Sequence, residues 1–427
     1  MEKGISTSLI AIVIVALAVV ALSLSPQFKS GIQPESEQKT ETTTTVITPK
    51  EVPKSGEDKQ APSQEQNPTE QPEEFGHGGQ VQPVSSFRQN PELPSDKEKL
   101  QLSECTGKVF SVDPVDLGKI TEITPLGNLA PPGHTFPTEH TYLHITPGGT
   151  TTDTISLYAP ADVQLLLISF DHGITQDPVD YTLYFALCKD VIGYYNHVKE
   201  ISPELEKIVS DTNCMFQGED KSKRCNIQTF TPIKAGDNIG RVGRLQGNFD
   251  FGLIDLSKPL KFANPDRYGA RSFFIHCAYD YYDDANRGKF YNLLSRKDGK
   301  CGTTAQDVSG TLKGNWFYGT SRADMGTDWD KYLALVQDNK DPAKLVISVG
   351  GVFTSAGKLE FTPQSLGLVN REFTQVILDG NIYCYEGSSM SGRIIIQLTS
   401  ATELKIEHQD GSCSGSFAFV KPTIYNR

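Results

Sequence analysis

The chain has 427 residues, a formal net charge of −12 and a pI of about 5.2. This length exceeds that of one ordinary domain and leaves room for two or three. The sequence is acidic and has no basic tract, which excludes a nucleic-acid-binding surface on electrostatic grounds, so we expect no nucleic-acid partner.

The N-terminal segment, 1–25, contains a long uncharged apolar run. Residues 5–24, ISTSLIAIVIVALAVVALSL, are long enough as a helix to cross a hydrocarbon core of about 30 Å. Lys3 before the run favours a cytoplasmic N-terminus. We therefore predict a single-pass membrane anchor, with the membrane as a partner, a cell-membrane location and the C-terminal bulk outside the cytoplasm. The alternative is a cleaved signal sequence and a secreted chain.

The cysteines agree with export. All eight follow the apolar run, and an even number in an exported chain predicts disulfides. The sequence contains no CxxC pair, so the cysteines do not indicate a zinc cluster. Proximity along the chain favours the pairs Cys214–Cys225 and Cys384–Cys413, and the sequence leaves the remaining pairings open.

The composition then changes twice along the chain. Residues 26–100 are rich in Thr, Pro, Gln, Glu and Ser and have few apolar side chains to bury, which predicts a disordered stalk. From 101 to 295, short runs rich in Val, Ile, Tyr and Phe are separated by turn signals, which predicts a first β domain. The clearest of these strands are VQLLLISF, YTLYFALC, IGRVG and FDFGLID.

Two stretches have the pattern of short helices, 201–211 with Ser202 as a capping residue, and 328–338, DWDKYLALVQD. The polar run YDYYDDAN, 279–286, lacks the spacing of a calcium loop and predicts a solvated loop. Residues 296–427 contain closely spaced strand-sized runs such as KLVISVGGVF and RIIIQLT. They predict a second, smaller domain, a β-barrel or β-sandwich.

Five motifs in the first β domain follow one another in an order that resembles the lysostaphin-type zinc metalloendopeptidases. They are PPGHTFPTEH at 131–140, APAD at 159–162, YNHV at 195–198, KAGDNIGRVG at 234–243 and NFDFG at 248–252. The resemblance covers residues 126–256, about thirty per cent of the chain. It implies a mainly β fold, a barrel-sandwich hybrid built on a duplicated hybrid motif, and a Zn²⁺ cofactor.

Carried over by position, the resemblance implies metal ligands at His134, His140 and Asp250. His140 stands where the family has Asp, and Asp250 stands where it has His. Two imidazoles and one carboxylate are kept, which is a set that zinc accepts. His197 and Asn248 occupy the two assisting catalytic positions, but Asn248 replaces a histidine and cannot transfer a proton.

Each of these residues also has a structural interpretation. A histidine such as His134, in a proline-rich turn, is as readily exposed or hydrogen-bonded to the backbone as bound to a metal. Asp250 lies between Phe249 and Phe251 in a predicted strand. If both rings face the core, the carboxylate faces the opposite side, and without a metal it is expected to pair with a histidine such as His197.

Two functions fit these observations. We favour a membrane-tethered extracytoplasmic protein whose degenerate lysostaphin-like domain is a cell-surface binding or scaffold module, because Asn248 breaks the catalytic set. The alternative is an active zinc metallohydrolase, an endopeptidase or amidase, because two histidines and a carboxylate remain. In both cases the expected ligand is a cell-envelope peptide or glycan.

Overall fold

Two antiparallel sheets make up the described fold. The computed structural model describes residues 101–145, 153–172, 180–211, 223–244, 247–323 and 328–427. These ranges belong to one compact unit, 78–427. The mainly β fold class predicted from the sequence, a barrel-sandwich hybrid followed by a small barrel or sandwich, is confirmed. The predicted stalk, 26–100, lies outside the described residues.

The first sheet contains ten strands of the described chain, and its central path runs β1-β2-β9-β6-β5-β4-β7. Strand β8 pairs with β3 and β6, and β10 pairs with β9. The bounds are β1 (Glu122–Thr124), β2 (Thr141–His144), β3 (Thr154–Tyr158), β4 (Val163–His172), β5 (Asp180–Cys188), β6 (Val191–Ile201), β7 (Lys223–Ile233), β8 (Asn238–Gly243), β9 (Asn248–Asp255) and β10 (Ile275–His276).

The second sheet has eight described strands in the order β14-β13-β12-β11-β18-β17-β16-β15. Its two edges meet where Glu360 and Ser388 exchange backbone hydrogen bonds, which nearly closes the sheet into a barrel. The bounds are β11 (Gly314–Phe317), β12 (Tyr332–Gln337), β13 (Leu345–Val349), β14 (Gly357–Phe361), β15 (Tyr383–Tyr385), β16 (Arg393–Ser400), β17 (Glu403–Gln409) and β18 (Thr423–Asn426).

The predicted domain boundary between 295 and 296 falls between β10 and β11. Alternation sets the faces of most strands, as in β17, where Leu404 and Ile406 are buried between partly exposed neighbours. The division into two domains stays a prediction.

In the described ranges two short α-helices lie outside the sheets, α1 (Pro203–Asp211) and α2 (Asp284–Tyr291). The predicted helix at 201–211 is confirmed as α1. Ser202 precedes it, and its hydroxyl accepts a hydrogen bond from the Leu205 N–H at 3.5 Å.

The predicted helix at 328–338 is wrong. The chain forms a short 3-10 turn, Trp329–Lys331, and then β12. This strand is buried on both faces, so its apolar run lacks the alternation of a half-buried strand. Leu333 and Leu335 face the core of the second sheet, and Ala334 and Val336 pack against Leu129 and Phe136.

The predicted solvated loop at 279–286 is also wrong. Tyr279 and Tyr282 are fully buried, and both rings contact Phe290 of α2 at centroid distances of 4.6 and 4.7 Å. Asp283 caps α2 by accepting a backbone N–H bond. The acidic residues face outward while the tyrosines anchor the segment, because aromatic burial outweighs the polar composition.

The predicted membrane anchor at 5–24 lies outside the described residues. Within the described ranges, no helix has the length and apolar character that a bilayer crossing requires. The α-helices there have nine and eight residues, against about 20 for a span. This finding contradicts the predicted anchor, and with it the membrane partner and the single-pass location.

Three disulfides link described cysteines, Cys105–Cys188, Cys277–Cys301 and Cys384–Cys413. The predicted Cys384–Cys413 pair is confirmed. Cys225 is also disulfide-bonded, but its predicted partner, Cys214, lies outside the described residues. Disulfides of this number fit an oxidising, extracellular environment.

The segment 129–140, which carries two candidate ligands, is held between the two sheets. Phe136 stacks on Tyr332 of β12 at a centroid distance of 4.3 Å and meets Phe317 of β11 edge-on at 5.0 Å. Leu129 is buried against the outer face of β12. The second sheet therefore positions part of the candidate site.

Replacing Phe136 with Ala tests this junction. Loss of the two ring contacts and of the buried ring surface is expected to lower the free energy of unfolding by about 2–3 kcal/mol. Equilibrium denaturation measures the change. Tyr318→Ala, at a half-exposed ring, is the control and is expected to cost less than about 1 kcal/mol. Equal losses of stability in the two variants would contradict the conclusion that Phe136 holds segment 129–140 between the two sheets.

Candidate functional site

Asp250 lies at the centre of the candidate site. In β9 it is directly opposite Tyr142 of β2 on one side and Asn196 of β6 on the other. Phe249 and Phe251 are buried in the core. The strand alternation therefore turns the Asp250 carboxylate away from both rings, and its residue is only 2% exposed.

Three side chains converge on one carboxylate oxygen of Asp250. Its Oδ2 lies 3.2 Å from Nε2 of His140 and 3.5 Å from Nε2 of His197. The side-chain amide of Asn196 donates to the same oxygen at 3.2 Å. The other oxygen, Oδ1, has no hydrogen-bond partner within the described residues. The buried charge is thus compensated by imidazoles and an amide.

A β-bulge aims His197 at this carboxylate. Between the pairs Tyr181–Val198 and Leu183–Tyr195, strand β6 has one residue more than β5. His197 takes up the bulge with φ of +62°, in the left-handed region that few residues other than glycine adopt. Bulges redirect side chains in this way, often beside functional sites.

A second carboxylate holds His197 from the opposite side. Nδ1 of His197 lies 2.8 Å from Oδ2 of Asp180, at the start of β5. The other Asp180 oxygen lies 3.4 Å from the buried Lys199 ammonium. His197 is therefore held between two carboxylates, one against each ring nitrogen.

His140 is positioned by the residues next to it. The Tyr194 hydroxyl donates to the backbone carbonyl of Glu139 at 2.8 Å. Gly252 makes room for this contact, since a Cβ there would lie 1.9 Å from the Tyr194 ring. The Glu139 carboxylate pairs with Arg271 at 2.9 Å. The backbone before His140 is thus fixed by two independent contacts.

His134 lies at the edge of the cluster. Its ring is 6.3 Å from the rings of His140 and Tyr142, measured between centroids, and its residue is exposed. Backbone hydrogen bonds with Ala130 hold it in a tight turn. Asn248 lies two residues before Asp250, opposite His144. No hydrogen bond between described residues joins the Asn248 side chain to the cluster.

The histidines differ in their expected charge. Burial lowers the pKa of His140, although the Asp250 charge acts in the opposite direction. Burial alone would also lower the pKa of His197, but the carboxylates of Asp250 and Asp180 outweigh it and raise that pKa. His197 is thus the favoured counter-charge for Asp250.

A protein-bound zinc ion needs three or four nitrogen, oxygen or sulfur ligands in a tetrahedral arrangement. Among the described residues, no group of three or more His, Cys, Asp and Glu side chains has an arrangement suited to a metal. The Asp250 distances to His140 and His197 resemble the ligand–ligand spacing of about 3.3 Å in a tetrahedral zinc site. His134 does not complete such a set, so the residues as placed do not fit zinc.

Comparisons with known proteins add little to this geometry. No family model matches the chain, and no curated protein matches it. A solved structure described as a zinc containing peptidase from Vibrio cholerae is similar at 17% sequence identity, with a TM-score of 0.22. The similarity covers 36% of this chain and 39% of that chain. At that score it carries no functional argument, and the resemblance to lysostaphin-type enzymes stays an interpretation.

Several residues of the site escape sequence reasoning. Asp180 and Lys199 reach the site because β5 pairs with β6. No motif or spacing in the sequence indicates this pairing. Tyr142 has a recognisable signal, because it alternates with His144 along β2. Its side chain lies 4.9 Å from the His140 ring.

Asp180→Asn tests whether His197 depends on its second carboxylate. Removing a charge that faces His197 and the buried Lys199 is expected to lower the free energy of unfolding by about 2 kcal/mol at pH 7. The matched control is Asp162→Asn, whose exposed pair with Lys234 is screened by water and is expected to contribute much less to stability.

The pH dependence of this loss has a defined sign. Burial alone would raise the pKa of Asp180, but the hydrogen bond and charge of His197 hold it below its usual value. Its contribution is therefore present above the unfolded pKa of about 3.9 and is lost as the pH falls through the folded pKa. Chemical denaturation at several pH values measures this. A difference between wild type and variant that grows toward acid would contradict the assignment.

Proposed function

We propose that the protein is an exported binding module, built on a lysostaphin-like hybrid domain (101–295) whose metallopeptidase centre no longer holds zinc. The observation that carries this proposal is the state of Asp250. Its Oδ2 is already engaged by His140, His197 and Asn196. Among the described residues no third side chain completes a metal-binding group with them, and zinc needs at least three protein ligands.

The groups that would assist hydrolysis support the same proposal. A general base needs a ring nitrogen within reach of a water or substrate proton. Both nitrogens of His197 face carboxylates, those of Asp180 and Asp250. Asn248 can donate a hydrogen bond but cannot transfer a proton. Neither of the two assisting positions, His197 and Asn248, therefore offers a free base in the described structure.

The disulfides support export. Three pairs among the described residues fit an oxidising environment outside the cytoplasm. The second β domain (296–427) is part of the proposed module, because its first strands hold the segment that carries His134 and His140.

One observation favours a second candidate, a zinc hydrolase acting on peptides or glycopeptides. Donor atoms of His140 and His197 lie 3.2 and 3.5 Å from one Asp250 oxygen, close to the ligand spacing of a tetrahedral zinc site. In that case His197 would be a ligand and not an assisting group. Metal dependence separates the two candidates.

Thermal unfolding with and without metal tests the proposal. The wild-type midpoint is expected to be the same in zinc and in a chelator, because no site gains binding free energy. A zinc site at a hundredfold excess over its Kd would add about 2.7 kcal/mol to the stability. His134→Ala and Asp250→Asn are expected to show equal midpoints in both conditions, whatever the size of their own losses.

The control for this experiment is Asp162→Asn, an exposed carboxylate outside the site. A wild-type midpoint that rises with zinc, together with an Asp250→Asn midpoint that does not, would overturn the binding module. Zinc-dependent release of new amino termini from a peptide substrate would then establish the hydrolase.

A further inference from the structure

We draw no further inference here: the strongest candidate, the surface patch of exposed aliphatic side chains between β14 and β15, Leu366, Leu368, Ile377 and Leu378, carries nothing because nothing in the described part of the chain shows what covers it.

Discussion

The buried carboxylate of Asp250 is the constraint on which the site depends. A charge that is 2% exposed must be compensated by partners placed to within a few tenths of an ångström. Those partners come from two separate segments, the 129–140 segment and the bulge of β6, while β9 carries the carboxylate. The left-handed backbone of His197 and the close contact of Tyr194 with Gly252 are local costs that this compensation offsets.

The fold class was within reach of the sequence, since alternating strands and frequent turn signals have a direct physical cause. The orientation of Asp250 could also be predicted from the sequence, because a residue between two core phenylalanines must face the other side of a strand. Three expectations failed for physical reasons. The segment 328–338 is a strand buried on both faces, tyrosine burial orders 279–286, and the described helices are too short to span a bilayer.

The site was predictable only in part. His140, His197 and Asp250, which the motif order assigns to one site, lie close together, and their assigned roles stay a prediction. The motif order also assigns His134 a ligand role, but His134 lies at the edge of the cluster. Among the described residues, the Asn248 side chain makes no hydrogen bond to the cluster. Asp180 joins through sheet register. A network of charges depends on tertiary pairing, which local sequence does not encode.

In the proposed function, the site that is held by the packing of segment 129–140 between the two sheets does not bind zinc. The most direct test of that account is the zinc content of the full chain, purified without chelator and then equilibrated with zinc. The account predicts far less than one zinc per chain, with no difference between wild type and Asp250→Asn. About one zinc per wild-type chain, lost in Asp250→Asn, would contradict it.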